Sequence, residues 1–279
     1  MKRVAPVILA LAAFAVGAPL RAADLTVTTY TAADAGFAVT SHLIAGERDA
    51  ILVDGQFLLG EAANVVEMVR RSGKNLKYVF VTHGHPDHFF GLEVLKEAFP
   101  DVRIIAPRSV IPDIRSYGPV AIERWKPVFK DQIPDSFITP EPTDERSLFI
   151  EGHAIQVISA DAAESAHAVA LWIPGIRAVI TGDLAYNKVH LWLRENRPDG
   201  WLAVLDRLEK LNPATVHPGH GAVGGPEMLA ANREYIKAFV AATAAPATPA
   251  EAVAKLKARY PGYALPVIVE FSVSGRMGE

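Results

Sequence analysis

Residues 78 to 91 read Tyr-Val-Phe-Val-Thr-His-Gly-His-Pro-Asp-His-Phe-Phe-Gly, and no other stretch limits the possible fold as sharply. The run from Tyr78 to Val81 is β-branched and aromatic, the character of a buried strand. Gly84, Pro86 and the density of polar groups then forbid the strand from continuing. His83, His85, Asp87 and His88 therefore sit on a turn at a strand end. Such a turn lets His83 and His85 converge on one point while Asp87 and His88 reach toward a second, which suits two metal ions better than one. A solvated His-rich loop is the plain alternative, and the residue types and their spacing together weigh against it.

The rest of the composition narrows the chemistry. The 279 residues contain no cysteine, so disulfides, thiolate ligands and a cysteine nucleophile are all excluded, and any transition-metal site must use His and carboxylates. A formal net charge of −3, with both signs interspersed, leaves no basic stripe for nucleic acid. Half of the residues are hydrophobic, enough for one large domain or two small ones. At the N-terminus, Lys2 and Arg3 precede an apolar run from Val4 to Val16 and then small residues up to Ala22. This is the pattern of a secretory signal peptide over residues 1–22, and it predicts a periplasmic or secreted protein with no stable membrane association after processing. An uncleaved anchor is the alternative, because Leu20 and Arg21 are imperfect before a cleavage site.

Short β-rich runs at 25–30, 37–44 and 50–53 predict meandering strands, and the helical spacing of Leu59, Ala62, Val65, Val66 and Val69 predicts a helix over 59–72 that Gly73 stops. A short helix over 91–99 and a strand over 102–106 continue the alternation, which points to a layered α/β fold. From Pro107 to Arg146 the prolines predict short helical pieces forming an insertion over a sheet edge or a site mouth, with Tyr117, Trp125 and Phe129 as possible lid residues. A second strand set follows at 147–150, 153–159, 168–173 and 177–181, then a helix over 201–211 and a strand over 214–217. Helices are expected over 225–243 and 251–260, and the run from Leu265 to Phe271 fits either an edge strand or a packed extension.

Three later places could complete a metal site beside strand ends: Asp183 in Thr-Gly-Asp, His220 in Pro-Gly-His-Gly, and Glu164 or His167 ahead of the strand at 168. Taken singly, each is as readily a turn, a loop or a solvated charge.

In this order the pieces resemble the metallo-β-lactamase superfamily, whose His-x-His-x-Asp-His signature matches His83, His85, Asp87 and His88, with its later Gly-Asp at Asp183 and its Pro-Gly-His-Gly at His220. The resemblance implies an α/β (α+β) fold, a four-layer αββα sandwich, over residues 23–245. The helix read at 251–260 makes residues 246–279 a C-terminal helical extension. The resemblance also implies His83 and His85 on a first metal, Asp87, His88 and His220 on a second, and Asp183 bridging. The family's usual third ligand of the first metal is a histidine ten residues before a proline that ends the next strand. Counting back from Pro174 gives Glu164, with His167 as its rival. Asp54 matches an acidic position that supports the His-rich turn from behind.

The resemblance further implies a metal-dependent hydrolase in which a metal-bound hydroxide attacks a carbonyl carbon, with Asp87 and Asp183 as the catalytic carboxylates. The substrate would be a small ester, lactone, thioester or β-lactam amide. Zinc is the expected cofactor, two ions, with iron or manganese admitted by the oxygen-rich ligand set. Lys188 and His190 follow the bridging residue and are candidates for holding a substrate carboxylate or a developing oxyanion. A mononuclear iron oxygenase on the same fold and a non-catalytic metal-binding protein are the alternatives.

Overall fold

The computed structural model describes residues 24–278; the expected signal peptide, residues 1–22, lies outside them. The first half of the chain runs β1 (Thr26–Thr31), β2 (Thr40–Ala45), β3 (Asp49–Val53), α1 (Leu59–Ser72), β4 (Asn75–Phe80), α2 (Leu92–Ala98), β5 (Arg103–Pro107), α3 (Ile111–Phe129) and β6 (Glu141–Thr143). The second half runs β7 (Ser147–Ile150), β8 (His153–Ser159), β9 (Val169–Ile173), β10 (Ala178–Ile180), β11 (Tyr186–Asn187), α4 (Pro198–Lys210), β12 (Thr215–His217), β13 (His220–Gly221), α5 (Glu227–Ala242), α6 (Pro249–Arg259) and α7 (Val267–Met277).

Two sheets result, one ordered β1-β2-β3-β4-β5-β6 and one ordered β12-β10-β9-β8-β7, with β11 and β13 forming a small parallel pair. The β3, β4, β5 and β6 strands pair in parallel, whereas β7 to β10 pair antiparallel. The period of two along each central strand explains the layering. On β3, Ala50 and Leu52 enter the core under the first-half helices, while Ile51 and Val53 enter a core shared with the other sheet. On β9, Ala170 and Trp172 face the second-half helices, while Val169, Leu171 and Ile173 face the shared core. Sheets with two apolar faces must be covered on both, and helices cover each outer face; this is the expected αββα sandwich.

The segment after Pro107 departs from expectation. Instead of short pieces, α3 is one helix of 19 residues that carries Pro119 and Pro127 inside it. Ile111, Ile114, Gly118 and Ala121 make a buried stripe spaced by three and four, which outweighs the prolines. Both prolines are exposed, as are Arg115 and Glu123 four residues earlier, so the carbonyls that lose a partner can be hydrated. The tail, open between an edge strand and a packed extension, takes the second form: residues 267 to 277 make a helix, although Val267-Ile268-Val269 would suit a strand. Val269, Ser272 and Val273 are buried at helical spacing against the second-half core, and tertiary packing overrides β propensity there.

Candidate metal centre

The residues of interest follow strand ends. Asp54 follows β3, His83 to His88 follow β4, Glu164 precedes β9, Asp183 follows β10, and His220 comes just after β12. Backbone hydrogen bonds join these loops across the two halves: Val169 N donates to Thr82 O (3.1 Å) and Thr40 N donates to Gly219 O (2.8 Å). Isolated bridges add His83 to Ala168 and Val39 to His220. Gly219 is required by this crowding, because a Cβ there would fall on the Asp183 carboxylate and on the Gly182–Asp183 backbone.

Two clusters form, His83, His85, Glu164 and Asp183 in one and Asp87, His88, Asp183 and His220 in the other, with one ligand atom from each residue lying within 4.8 Å of the rest. In the first, His85 Nδ1 is 3.2 Å from Glu164 Oε1, and His83 Nε2 is 3.9 Å from Glu164 Oε2 and 3.6 Å from Asp183 Oδ2. In the second, His88 Nε2 is 3.0 Å from Asp183 Oδ1, and His220 Nε2 is 3.2 Å from Asp183 Oδ2 and 3.3 Å from Asp87 Oδ2. Asp183 belongs to both.

The donor set fits metal ions on an observation independent of any relative. His83 Nε2, His88 Nε2, both Glu164 oxygens and Asp183 Oδ1 are buried and make no hydrogen bond, although nitrogen and oxygen approach as closely as 3.0 Å. Buried polar atoms without partners are costly, and atoms this close yet misaligned for hydrogen bonding are aimed past each other, as ligands of a common cation are. The opposite ring nitrogens are engaged by the protein. His88 Nδ1 lies 2.8 Å from Asp54 Oδ2, His220 Nδ1 lies 2.7 Å from Phe37 O, and His83 Nδ1 lies 3.0 Å from Thr82 Oγ1. Each contact orients its ring and leaves Nε2 for the cluster. Asp54 also accepts from Thr82 N and Thr82 Oγ1, both at 2.8 Å, so one buried carboxylate fixes the start of the turn and its last histidine.

Electrostatics follow from this packing. Burial opposes protonation of His88, but the charges of Asp183, Asp54 and Asp87 outweigh it and hold the imidazole well above its ordinary value. Burial works against His220 likewise, and Asp183 and Asp87 lift it to about 10. For Asp183, burial is outweighed by His220, His88 and His83, which hold the carboxyl well below its ordinary range. A bound cation would take the place of the protons on these imidazoles. Tyr186 donates its hydroxyl to Asp183 Oδ2 (2.6 Å) and stacks on His220 with centroids 4.7 Å apart; burial and the Asp183 charge push its pKa well up, so it stays a neutral donor.

Other sequence-predicted residues lie elsewhere. His167 is outside both clusters, its Nδ1 2.9 Å from Asp113 Oδ2 and its side chain 40% exposed. Lys188 is exposed and is not among the residues lining the pocket over the clusters; it follows Asn187 at φ 54, between pocket-facing Tyr186 and Val189. His190 does line that pocket, with Nδ1 2.7 Å from the Tyr235 hydroxyl, and burial and the Lys257 charge bring it down to about 4. It is neutral at pH 7 and offers no charge to a carboxylate. Tyr117 and Trp125 line the pocket, as a lid reading suggested, while Phe129 packs behind them on Phe57. Sequence reasoning missed Thr82, the Tyr186 hydroxyl and Glu195, whose Oε1 is 3.9 Å from His85 Nε2. A hydroxyl directly before the first histidine is a signal that could have been used; nothing local marks Glu195.

Glu164→Ala is expected to lower bound metal, whereas His167→Ala should leave it unchanged, because the first removes two buried, unpartnered oxygens and the second only a half-exposed ion pair. Elemental analysis of both purified variants checks this; full occupancy in Glu164→Ala with loss in His167→Ala would reverse the assignment.

Comparison with known proteins agrees with this geometry. Residues 34–220 match the model of the metallo-β-lactamase superfamily. A hydroxyacylglutathione hydrolase of Tolumonas auensis is 38% identical over 72 residues, 26% of this chain and 27% of that protein. The uncharacterized protein YobT of Bacillus subtilis is 31% identical over 80 residues, 29% of this chain and 34% of that protein. The aligned stretches thus span about a third or less of these relatives. Among solved structures, a metallo-β-lactamase from Pontibacter korlensis superposes with a TM-score of 0.59 at 18% identity, covering 77% of this chain and 99% of its own. The DIM-1 metallo-β-lactamase gives 0.57 at 16% identity, covering 78% and 98%. At such identity the likeness is one of fold.

Proposed function

The chain belongs to the metallo-β-lactamase superfamily, and from that premise we propose that it is a metal-dependent hydrolase of a small acyl compound: an ester, lactone, thioester or β-lactam amide. The observation that carries the reading is the pair of hydrogen-bond-deficient ligand clusters sharing Asp183 at the floor of a pocket. His83, His85 and Glu164 would hold one divalent cation, Asp87, His88 and His220 the other, with Asp183 between them. When bound, such ions supply Lewis acidity and make water acidic enough to react near neutral pH.

The protein's own groups divide the remaining work. Asp87 lines the pocket and is held ionised by His88 and His220 against the effect of burial, so it is placed to take a proton from the attacking water. Tyr186 steadies Asp183 by donating its hydroxyl proton to it and borders the same pocket. Similarity to a hydroxyacylglutathione hydrolase supports acyl hydrolysis as the reaction type. Zinc is the proposed metal. Two histidines and Glu164 also make the two-His, one-carboxylate set that iron(II) oxygenases use, which gives the second reading a specific basis.

Stripping the purified protein with a chelator is expected to abolish turnover of an acyl-substrate panel, and reloading with zinc to restore it. Activity that survives complete removal of metal would end the hydrolase reading, and oxygen consumption by iron-loaded protein would favour the alternative. We also propose export, on the pattern of residues 2–22. The N-terminus of the mature protein is expected near Ala23; sequencing that finds Met1 on exported protein would contradict processing.

A further inference from the structure

The pocket above the two clusters has a one-sided chemistry. Its floor carries the ligand residues His85, Asp87, Asp183 and His220, and its walls are aromatic and aliphatic. Phe37 sits 5.8 Å from Trp125, and Phe271 joins Trp125 at 6.3 Å to Trp192 at 6.0 Å, so four separate parts of the chain meet around one opening. Leu265, Ile268 and Phe271 bring in the start of α7. That wall lies beyond residue 220, where the match to the superfamily model stops.

No lysine or arginine is among the residues lining this pocket. Lys188 is exposed and outside it, and the nearby Arg197 is engaged by Glu195 at 2.7 Å. Carboxylates instead dominate the surroundings: Asp87, Glu164 and Asp183 contribute ligand oxygens, and Glu195 stands behind His85. With a glutamate as one of the ligands, three carboxylates would offset all but one of the charges on two divalent ions, and no cation on the walls holds the far end of an anionic substrate. A carboxylate carried into the aromatic part of the pocket would lose water and meet neutral donors such as the Trp192 indole N–H but no cation, which is costly. An uncharged alkyl or aryl group would bury apolar surface there instead.

We propose that the pocket selects uncharged esters or lactones with an apolar acyl group, seated between Trp125, Trp192 and the α7 residues Ile268 and Phe271, and rejects substrates whose acyl group ends in a carboxylate. The proposal rests on the hydrolase reading and narrows it. Half-esters of dicarboxylic acids fall on the rejected side. In the reaction, water oxygen bonds to the acyl carbon, the bond from that carbon to the leaving alcohol oxygen breaks, and the alcohol departs with a proton. The acid product releases the second water proton to solvent and leaves as a carboxylate.

The test compares matched substrates on the metal-loaded full chain: 4-nitrophenyl acetate, 4-nitrophenyl hexanoate and the mono-4-nitrophenyl ester of adipic acid, which has the hexanoyl length and a terminal carboxylate. The hexanoate is expected to exceed both others in kcat/KM by about tenfold or more, since each buried methylene favours the longer apolar chain. Phe271→Ala should flatten the dependence on chain length, and Ile268→Lys should raise kcat/KM for the adipate ester while lowering it for the hexanoate. Equal or faster turnover of the adipate ester by the unaltered protein would overturn the proposal. If no ester is turned over, the hydrolase reading fails on its own, and tryptophan fluorescence titrations with hexanamide and the monoamide of adipic acid decide the pocket's preference. Tighter binding of hexanamide, weakened in Phe271→Ala, would uphold the selectivity; equal binding of the two, or none, would refute it.

Discussion

Asp183→Asn is expected to reduce kcat/KM by on the order of a thousandfold or more and to deplete both metal positions together, beyond the 10–100-fold typical of residues that only support a ligand. Four side chains converge on this one carboxylate. Oδ1 is 3.0 Å from His88 Nε2, while Oδ2 is 3.2 Å from His220 Nε2, 3.6 Å from His83 Nε2 and accepts from Tyr186 at 2.6 Å. An amide in the same place carries no charge, and its NH2 would point at groups that need an acceptor or a cation. Neither cluster would keep its balance, since Asp183 is the residue they share. Elemental analysis alongside hydrolysis rates checks the prediction. One equivalent of metal retained at undiminished affinity would show that the clusters do not depend on a common bridge.

Gly91→Ala should cost about 3 kcal/mol or more of folding stability, at the upper end of what single substitutions do. A Cβ at residue 91 would run into the Gly55 carbonyl oxygen and the Ala62 methyl, and both belong to the segment that leads from β3 into α1. That contact is closed by two further backbone bonds, Gly91 N to Gln56 O at 3.0 Å and Gly55 N to His88 O at 2.7 Å. Backbone cannot retreat as a flexible side chain can, so relief requires moving either α1 or the His-rich turn. Because Asp54 precedes Gly55 and holds both Thr82 and His88, the strain would also reach the ligands. Urea unfolding of the variant, compared with Gly60→Ala, where a Cβ meets nothing, measures the effect. Equal midpoints for the two would mean that the contact yields easily.

The same motif explains how much of this protein could be read from its residues. His83, His85, Asp87 and His88 are local in sequence, and the strand before them is marked by its own apolar run, so their placement on one turn needed no long-range information. Glu164, Asp183 and His220 were identified through strand ends and a family pattern, and the structure brings all three to that turn. The prolines of α3 mask one long helix in the sequence, although its buried stripe at 111, 114, 118 and 121 is the stronger signal. The helical tail was undecidable from Val267-Ile268-Val269 alone, since what makes it helical is its packing on distant residues. Lys188 was attractive by its position after Asp183, but position along a loop does not say which way a side chain faces. The aromatic pocket was invisible for the same reason, being assembled from residues far apart in the chain.

The backbone bridges from His83 to Ala168 and from Val39 to His220 hold the ligand loops by hydrogen bonds that owe nothing to a cation. Little chain has to be ordered when an ion arrives, and little is released when one departs. Metal exchange can then proceed on a folded protein, with no cycle of unfolding between one ion and the next. For such a protein, the stock of ions in its surroundings sets which metal it carries as much as the ligands do, because mixed nitrogen and oxygen donors discriminate only modestly among divalent ions of similar size.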